Sequence, residues 1–221
     1  QLPNPDPEKH LERMRHAYGT EIEYMDAHIG AFLDGVRERG LYDDAVILFT
    51  SDHGEEFYEH QGWWHGQTLY DEVIQVPLML RLPGSVMAGQ TNADFARHID
   101  LAPTMMGLAG LPAPGEMPGI ALLDHGTFTN AVTGHVYAEN DFEGIVLQAV
   151  RTRTEKLIAA NDNNPRGLLP TEYYDLTSDP RETRNLSENA PDRVDELEAL
   201  LDGMMAFIRD GAAEPAVVEG L

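Results

Sequence analysis

The sequence contains no cysteine, and this absence excludes a disulfide framework and a thiolate metal site. Long hydrophobic runs are missing too, since no stretch approaches the roughly 20 apolar residues that span a bilayer. The first thirty residues lack the basic-then-apolar layout of a signal peptide. A leader removed from the mature protein would leave the same pattern, so the compartment, cytoplasmic or periplasmic, stays open.

Positive charge is scarce: the chain has 15 Lys and Arg against 38 Asp and Glu, a formal net charge of −23. Because so acidic a surface repels phosphate backbones and anionic lipids, we expect neither nucleic acid nor a membrane as a partner. An anionic substrate would need a local positive charge, which a bound metal ion supplies most simply.

Three common motifs are also absent, namely the Walker A loop, the dinucleotide-binding fingerprint and the G-x-S-x-G nucleophile elbow. What remains is a chain of 221 residues with 42% hydrophobic content. That length and composition are typical of a globular protein with one sizeable core or two small ones.

The N-terminal region has the periodicity of a helix followed by a strand. Gly40 stands where such a helix would end. Its start is either a capping box at Thr20 and Glu23 or an earlier residue, because Leu11 and Met14 extend the same apolar stripe. The short apolar run 45–51 then predicts a buried strand of the parallel-sheet type. The stripe itself recurs at spacings of four and three: Tyr18, Ile22, Met25, Ile29, Leu33 and Val36.

The middle of the chain predicts further α/β elements. Residues 76–84 form a second strand closed by a Pro-Gly turn. Residues 94–100 are interpreted as a third strand, with Asp100 capping a following helix and Pro103 in the first turn of that helix.

From residue 135 onward the pattern changes to short β-rich segments separated by turn residues, which predicts an antiparallel sheet. A closing amphipathic helix follows, with apolar residues at Val194, Leu197, Leu201, Met204 and Ile208.

The polar residues behind the predicted strand 45–51 are candidates for a metal site. Ligands gather at the carboxyl ends of strands in open α/β sheets, and Asp52 and His53 stand there with Gly54 allowing a sharp turn. Asp offers a hard oxygen and His a nitrogen to one ion. The competing interpretation is that the two merely cap a helix and bond each other, and spacing alone does not decide.

His60 and His65 do not complete the familiar zinc signature of two His four residues apart. Trp63 and Trp64, beside His65, line a substrate pocket or cover the core, and for one of them the core is the safer expectation.

Several longer segments follow one another along the chain in a characteristic order. They are YGTEIEYMDAHIGAFLDGVRERGLYDDAVILFTSDHGEEF, HGQTLYDEVIQVPLMLRLPG, HIDLAPTMMGLAGLPAP, and VRTRTEKLIAA followed by TEYYDLTSDPRETRNL. This ordered set resembles the C-terminal half of the sulfatases, within the alkaline phosphatase superfamily, over about residues 17–205.

The resemblance implies an α/β fold. We expect part of a mostly parallel, alkaline-phosphatase-like sheet flanked by helices, then a small antiparallel sheet with a C-terminal helix. Residues 1–125 would be the C-terminal portion of the α/β catalytic domain, and residues 126–221 the antiparallel subdomain.

Roles follow from the same resemblance, residue by residue. Asp52 and His53 match the pair that ligates the active-site divalent cation, with calcium expected and magnesium or manganese as alternatives. Asp52 would also help deprotonate the attacking hydroxyl. His65 matches the position that contacts the sulfate and helps the leaving oxygen depart.

Other matched positions are expected to be structural, variable or at the surface. His98, Arg151 and Lys156 are expected to be structural. Glu59 and His60 are expected to lie in a variable loop, and His28 at the surface.

One departure opens an alternative function. Many sulfatases have Asn where this chain has His53, and His there also occurs in phosphonate and phosphate monoester hydrolases of the superfamily. A non-catalytic fragment that binds a cation or a partner is a third hypothesis.

The family's nucleophile is missing. Sulfatases make a formylglycine from a C/S-x-P-x-R motif, and none of the four Ser in this chain lies in such a motif. We therefore expect a fragment that is inactive alone and acts on a sulfate ester only as part of a whole enzyme. A fold cut in this way exposes apolar surface, so association with the missing N-terminal half or with a second copy is expected.

Overall fold

A computed structural model describes residues 7–115, 117, 119–124, 126–129 and 134–210. The chain forms two compact units. The first comprises the described part of Gln1–Ser51 with Glu55–Trp64 and Pro77–Gln90. The second comprises Asp52–Gly54, His65–Val76 and the described part of Thr91–Leu221. The predicted boundary at residue 125 stays a prediction.

In the first unit, the helix α1 spans Pro7–Glu38. The earlier of the two predicted starts is therefore right, and Thr20 lies inside the helix, where its hydroxyl donates to the His16 carbonyl. The helix ends as predicted, because Gly40 adopts a φ of 67° that favours glycine. The apolar stripe is only partly covered by the described residues: Tyr18, Ile22 and Met25 are 42%, 46% and 45% exposed, whereas Ile29, Leu33 and Val36 are half-buried.

Two pairs of strands complete the first unit. The strand β1, Ile47–Thr50, pairs antiparallel with β4, Leu78–Arg81. The hairpin of β2, Glu56–Phe57, and β3, Trp63–Trp64, contacts α1. Both predicted strands exist, but β1 is half-buried along its length and its described partner is antiparallel. Parallel pairing around β1 stays a prediction.

The second unit is built on a four-stranded antiparallel sheet in the order β10-β9-β8-β7, as predicted. Successive residues of a strand point to opposite faces, so Leu157 and Tyr173 contact one apolar cluster while Ile158 and Tyr174 contact the other. The strands are β7, His135–Phe142; β8, Ile145–Thr152; β9, Glu155–Ala160; and β10, Thr171–Asp175.

One face of this sheet is covered by the predicted C-terminal helix α4, Pro191–Asp210. Its apolar residues Val194, Leu197, Leu201 and Met204 are at most 9% exposed, although Ile208 is 49% exposed. The opposite face packs against Leu69 and Tyr70, which precede the short helix α2, Asp71–Ile74.

The predicted third strand at 94–100 is wrong. The helix α3 spans His98–Leu108, so Asp100 is its third residue and not its cap. The Asp100 carboxylate is fully buried and accepts hydrogen bonds from the backbone and guanidinium of Arg97. Because this contact spans three residues, the helix begins earlier than predicted. Pro103 is therefore its sixth residue and lies beyond the first turn.

A small antiparallel pair follows α3, formed by β5, Leu123–Asp124, and β6, Thr127–Phe128. Across the described ranges, each helix is too short or too polar to cross a membrane.

Candidate functional site

Asp52 and His53 are positioned by local hydrogen bonds. The His53 backbone N–H donates to Asp52 Oδ1 over 3.0 Å, and His53 Nε2 lies 3.7 Å from Asp52 Oδ2. Ligand atoms that share one cation at about 2.0–2.5 Å lie about 3–4 Å apart. Part of the competing interpretation holds, since the two residues do bond each other. The next element is β2 and not a helix, so they do not cap a helix.

The tautomer of His53 suits a metal ligand. Its Nδ1 lies 2.9 Å from the Gly54 carbonyl oxygen, which can only accept, so Nδ1 carries the hydrogen. Nε2, the nitrogen turned toward Asp52, is then the one with a lone pair for an ion. Metal-ligating His residues typically donate their other N–H to a carbonyl or carboxylate in this way.

The surroundings of Asp52 favour its ionised form. Its side chain is 86% exposed, and hydrogen bonds from the backbone N–H groups of Asp52 and His53 lower the pKa of the carboxyl. A charged, accessible oxygen beside an imidazole nitrogen fits a hard divalent cation. The pair provides part of a coordination sphere, and the remaining ligands would come from elsewhere.

His65 joins this pair in space. Its ring stacks on that of His53 with centroids 3.7 Å apart and planes at 29°, and one nitrogen of each ring lies within 4.8 Å of the other. The Gly66 carbonyl that follows accepts a hydrogen bond from Asn140 Nδ2 over 3.1 Å. The structure thus brings together the three residues that the sequence singled out, while their roles stay predictions.

Gly54 fixes the loop against α2. Its N–H donates to the Val73 carbonyl over 2.7 Å. A Cβ at this position would stand 2.0 Å from the Glu72 carbonyl oxygen, far inside van der Waals contact. Only glycine allows this approach, which explains the residue better than the sharp turn that the sequence suggested.

A buried ionic network lies at the start of α2. The Lys156 ammonium donates to Asp71 Oδ1 over 2.9 Å and lies 2.7 Å from Glu182 Oε1. Arg151 contacts the same Asp71 carboxylate through Nε and a terminal nitrogen, at 3.1 and 2.9 Å. We call these four residues the buried quartet: Asp71, Arg151, Lys156 and Glu182. Two positive and two negative groups balance its formal charge.

The buried quartet also holds the backbone of α2, because the Asp71 N–H donates to Glu182 Oε2 over 2.6 Å. Burial acts to raise the pKa of the Asp71 carboxyl. The hydrogen bonds from Arg151 and Lys156 outweigh this effect, so the pKa is lowered. The structural role expected of Arg151 and Lys156 is consistent with these contacts. Sequence reasoning missed Asp71, whose side-chain partners Arg151 and Lys156 lie 80 and 85 residues away. It also missed Glu182, which contacts Lys156 and the distant Asp71 N–H.

Tyr70 provides a second anchor beside the quartet. Its hydroxyl and that of Tyr174 both donate to Glu172 Oε2, over 2.7 and 2.9 Å. Burial, reinforced by the Glu172 carboxylate, raises the pKa of both phenols far above the usual value. The stretch that carries His65 is therefore tied to the sheet at two successive residues, Tyr70 and Asp71.

The remaining sequence candidates have structural surroundings. Glu59 pairs with Arg15 over 2.7 Å, and His28 is exposed on α1, as expected. Trp63 is half-buried and contacts the rings of His10 and Tyr58, so it is the Trp that belongs to packing. Trp64 is 50% exposed.

Comparison with known proteins points in one direction. The family described as Sulfatase matches residues 3–111, and the family described as N-sulphoglucosamine sulphohydrolase, C-terminal, matches residues 59–208. Arylsulfatase K of Bos taurus is 28% identical over 218 residues, covering 93% of this chain and 39% of that protein. An N-acetylglucosamine-6-O-sulfatase of Bacteroides thetaiotaomicron is 30% identical over 187 residues, covering 80% of this chain and 32% of that protein.

Solved structures agree with the sequence comparison. An enzyme determined with its substrate D-glucosamine-2-N,6-O-disulfate superimposes with a TM-score of 0.75 at 26% identity, covering 87% of this chain and 40% of its own. The phosphonate monoester hydrolase of Agrobacterium radiobacter gives a TM-score of 0.73 at 27% identity, covering 87% and 41%. The chain thus spans about 40% of the length of these relatives.

Proposed function

Because the chain belongs to the sulfatase family, we propose that it is the C-terminal part of a sulfuric ester hydrolase and supplies half of that enzyme's metal site. The observation that carries this proposal is the pairing of His53 Nε2 with Asp52 Oδ2 at 3.7 Å. The tautomer fixed by Gly54 supports it. A divalent cation, calcium first and magnesium or manganese otherwise, would be held by Asp52 and His53.

The bound cation would supply the positive charge that an acidic protein needs to handle a sulfate group. Asp52 would take the proton of the attacking hydroxyl. His65 is exposed, and in its protonated form it would donate to the leaving alcohol oxygen. Because His65 stacks on His53, the proton donor and the cation ligand share one side of the site.

The nucleophile must come from outside this chain, since no C/S-x-P-x-R motif is present. We infer that the chain acts together with the N-terminal half of the enzyme, or associates with a second copy. The half-exposed apolar stripe of α1 supports this inference, because it leaves Ile22 and Met25 uncovered by the described residues. The net charge of −23 argues against nucleic acid and membrane partners.

A second candidate is a phosphonate or phosphate monoester hydrolase. It is favoured by His53 at a position where many sulfatases carry Asn, and by the likeness to the Agrobacterium radiobacter enzyme. Relative turnover of an aryl sulfate and the matching aryl phosphate by the intact enzyme separates the two. A preference for the sulfate supports the first proposal, and a preference for the phosphate supports the second.

The proposal is tested by Asp52→Ala in the intact enzyme. We expect bound metal to fall below one equivalent and turnover to drop by about 100-fold or more, measured by elemental analysis and steady-state kinetics. The matched control is Asp43→Ala, another exposed Asp in a loop, which should keep both. A variant that retained metal and turnover would refute the assigned role, and an intact protein that bound metal but hydrolysed neither ester would favour the non-catalytic fragment.

A further inference from the structure

The buried quartet holds α2, whose Val73 carbonyl accepts the Gly54 N–H beside the proposed site. The side chains of Lys156 and Glu182 are fully buried, and those of Asp71 and Arg151 are 14% and 19% exposed. Taking four charges out of water costs free energy that their mutual attraction only partly offsets. Apolar residues of similar volume often give equal or greater stability at such positions. The charges therefore need an explanation other than stability.

What the quartet does specify is the position of a backbone. Glu182 accepts the Asp71 N–H, while Lys156 and Arg151 hold the Asp71 carboxylate. Hydrogen bonds have direction, so the first turn of α2 is oriented as well as buried. An apolar cluster would bury this turn without choosing one orientation for it.

One backbone hydrogen bond links α2 to residues 52–54, which we call the cation loop. The Val73 carbonyl, two residues beyond Asp71, accepts the Gly54 N–H over 2.7 Å. The contact between Gly54 and the Glu72 carbonyl leaves no room for displacement toward α2. Asp52 and His53 precede Gly54 directly, and His53 Nδ1 donates to its carbonyl.

We propose that the buried quartet positions the cation loop: Lys156 and Glu182 orient α2, and α2 fixes Gly54 and with it the ligand atoms of Asp52 and His53. These residues are positioning residues, since they act on Asp52 and His53 through α2 and Gly54. The inference rests on the proposed function for its purpose, although the physical linkage it describes is independent of any metal.

The linkage is tested in the 221-residue chain with Lys156→Met/Glu182→Met, which removes one charge of each sign and leaves the Asp71–Arg151 pair. Amide hydrogen exchange at Gly54 should accelerate by about tenfold or more, because its acceptor on α2 is no longer held. Amides of α4, which covers the sheet face opposite to Tyr70, should change by less than about twofold. Manganese affinity of the intact enzyme, in which the remaining ligands are present, should fall by about 10–100-fold when measured by calorimetric titration.

The matched control is Glu155→Met/Arg193→Met. It also removes one charge of each sign, from the ion pair that ties α4 to β9. It should leave Gly54 exchange and manganese affinity unchanged. Unchanged Gly54 exchange in the quartet variant, or equal acceleration in both variants, overturns the proposal.

A second variant tests the same linkage in case Lys156→Met/Glu182→Met does not fold. Asp71→Asn keeps the side-chain shape and the N–H but removes the charge that Lys156 and Arg151 contact. It should accelerate Gly54 exchange in the same direction, and an unchanged rate overturns the proposal. Titration of wild type and His53→Ala with manganese tests the proposed function separately. Equal manganese affinity of the intact enzyme with and without His53→Ala would contradict the proposed function, while the exchange result still decides the linkage.

Discussion

The helices α1 and α4 have the same kind of amphipathic sequence and very different surroundings. On α4, Leu197 and Leu201 are 0% and 4% exposed against the four-stranded sheet. On α1, Ile22 and Met25 at equivalent stripe positions are 46% and 45% exposed. The periodicity of a helix sequence therefore shows that one face is apolar. It does not show which element covers that face. In the second unit the chain supplies that partner itself.

The largest expected effect comes from truncating the two stripes in parallel. Leu197→Ala should lower the free energy of unfolding by about 2–5 kcal/mol, because it empties a fully buried site. Ile22→Ala should change it by less than about 0.5 kcal/mol, since the side chain is half in water. Urea denaturation of both variants at equal protein concentration measures the difference. Equal losses would mean that the α1 stripe is covered in solution, and the contrast drawn here would fail.

A smaller effect is expected from the ion pairs of the two helices. Arg193 of α4 contacts Glu155, with side chains 24% and 13% exposed, whereas Arg15 of α1 contacts Glu59 at 54% and 33%. Arg193→Met should cost about 1–3 kcal/mol at pH 7, and Arg15→Met less than about 1 kcal/mol. Thermal or urea unfolding of the two variants gives the comparison.

The pH dependence follows from the pKa of Glu155. Hydrogen bonds from Arg193 and, behind an opposing effect of burial, from Tyr173 lower that pKa below its ordinary 4.5. Because the folded pKa is depressed, the stabilisation is fully present above 4.5 and is lost as the pH falls through the folded value. The stability gap between wild type and Arg193→Met should therefore begin to close as the pH falls below 4.5. A gap that stayed constant down to pH 3 would show that charge is not its source.

The smallest effect on unfolding, and the most informative on association, is expected from Ile22→Glu/Met25→Glu. Both side chains are exposed enough to accept charge without loss of the fold. If the stripe mediates self-association, sedimentation velocity should show wild type above 24.5 kDa and the variant shifted toward that mass. Thr20→Glu/Ala27→Glu, on the opposite side of α1, should behave as wild type. A monomeric wild type would remove the second-copy partner from consideration.

Much of the fold followed from local pattern. The spacing of apolar residues predicted α1 and α4, Gly40 marked an end, and the β-rich segments after residue 135 gave the antiparallel sheet. The failure at 94–100 has a local cause, since the Arg97–Asp100 contact converts an apparent strand into the start of α3.

The site divides in the same way between local and distant causes. Asp52, His53 and His65 were recognisable because their neighbours in sequence form a family motif. Asp71 and Glu182 were not, because their significance comes from contacts with Lys156, 85 and 26 positions away. The exposure of the α1 stripe could not be predicted from its sequence at all, since periodicity carries no information on what covers it.

The close fit of Gly54 against Glu72 has a consequence for protein engineering. A loop grafted here from a relative must carry glycine at residue 54, because any side chain there would collide with the Glu72 carbonyl. We expect residues 52–54 and 71–74 to be transferable between relatives only as a unit, together with the buried quartet that holds them.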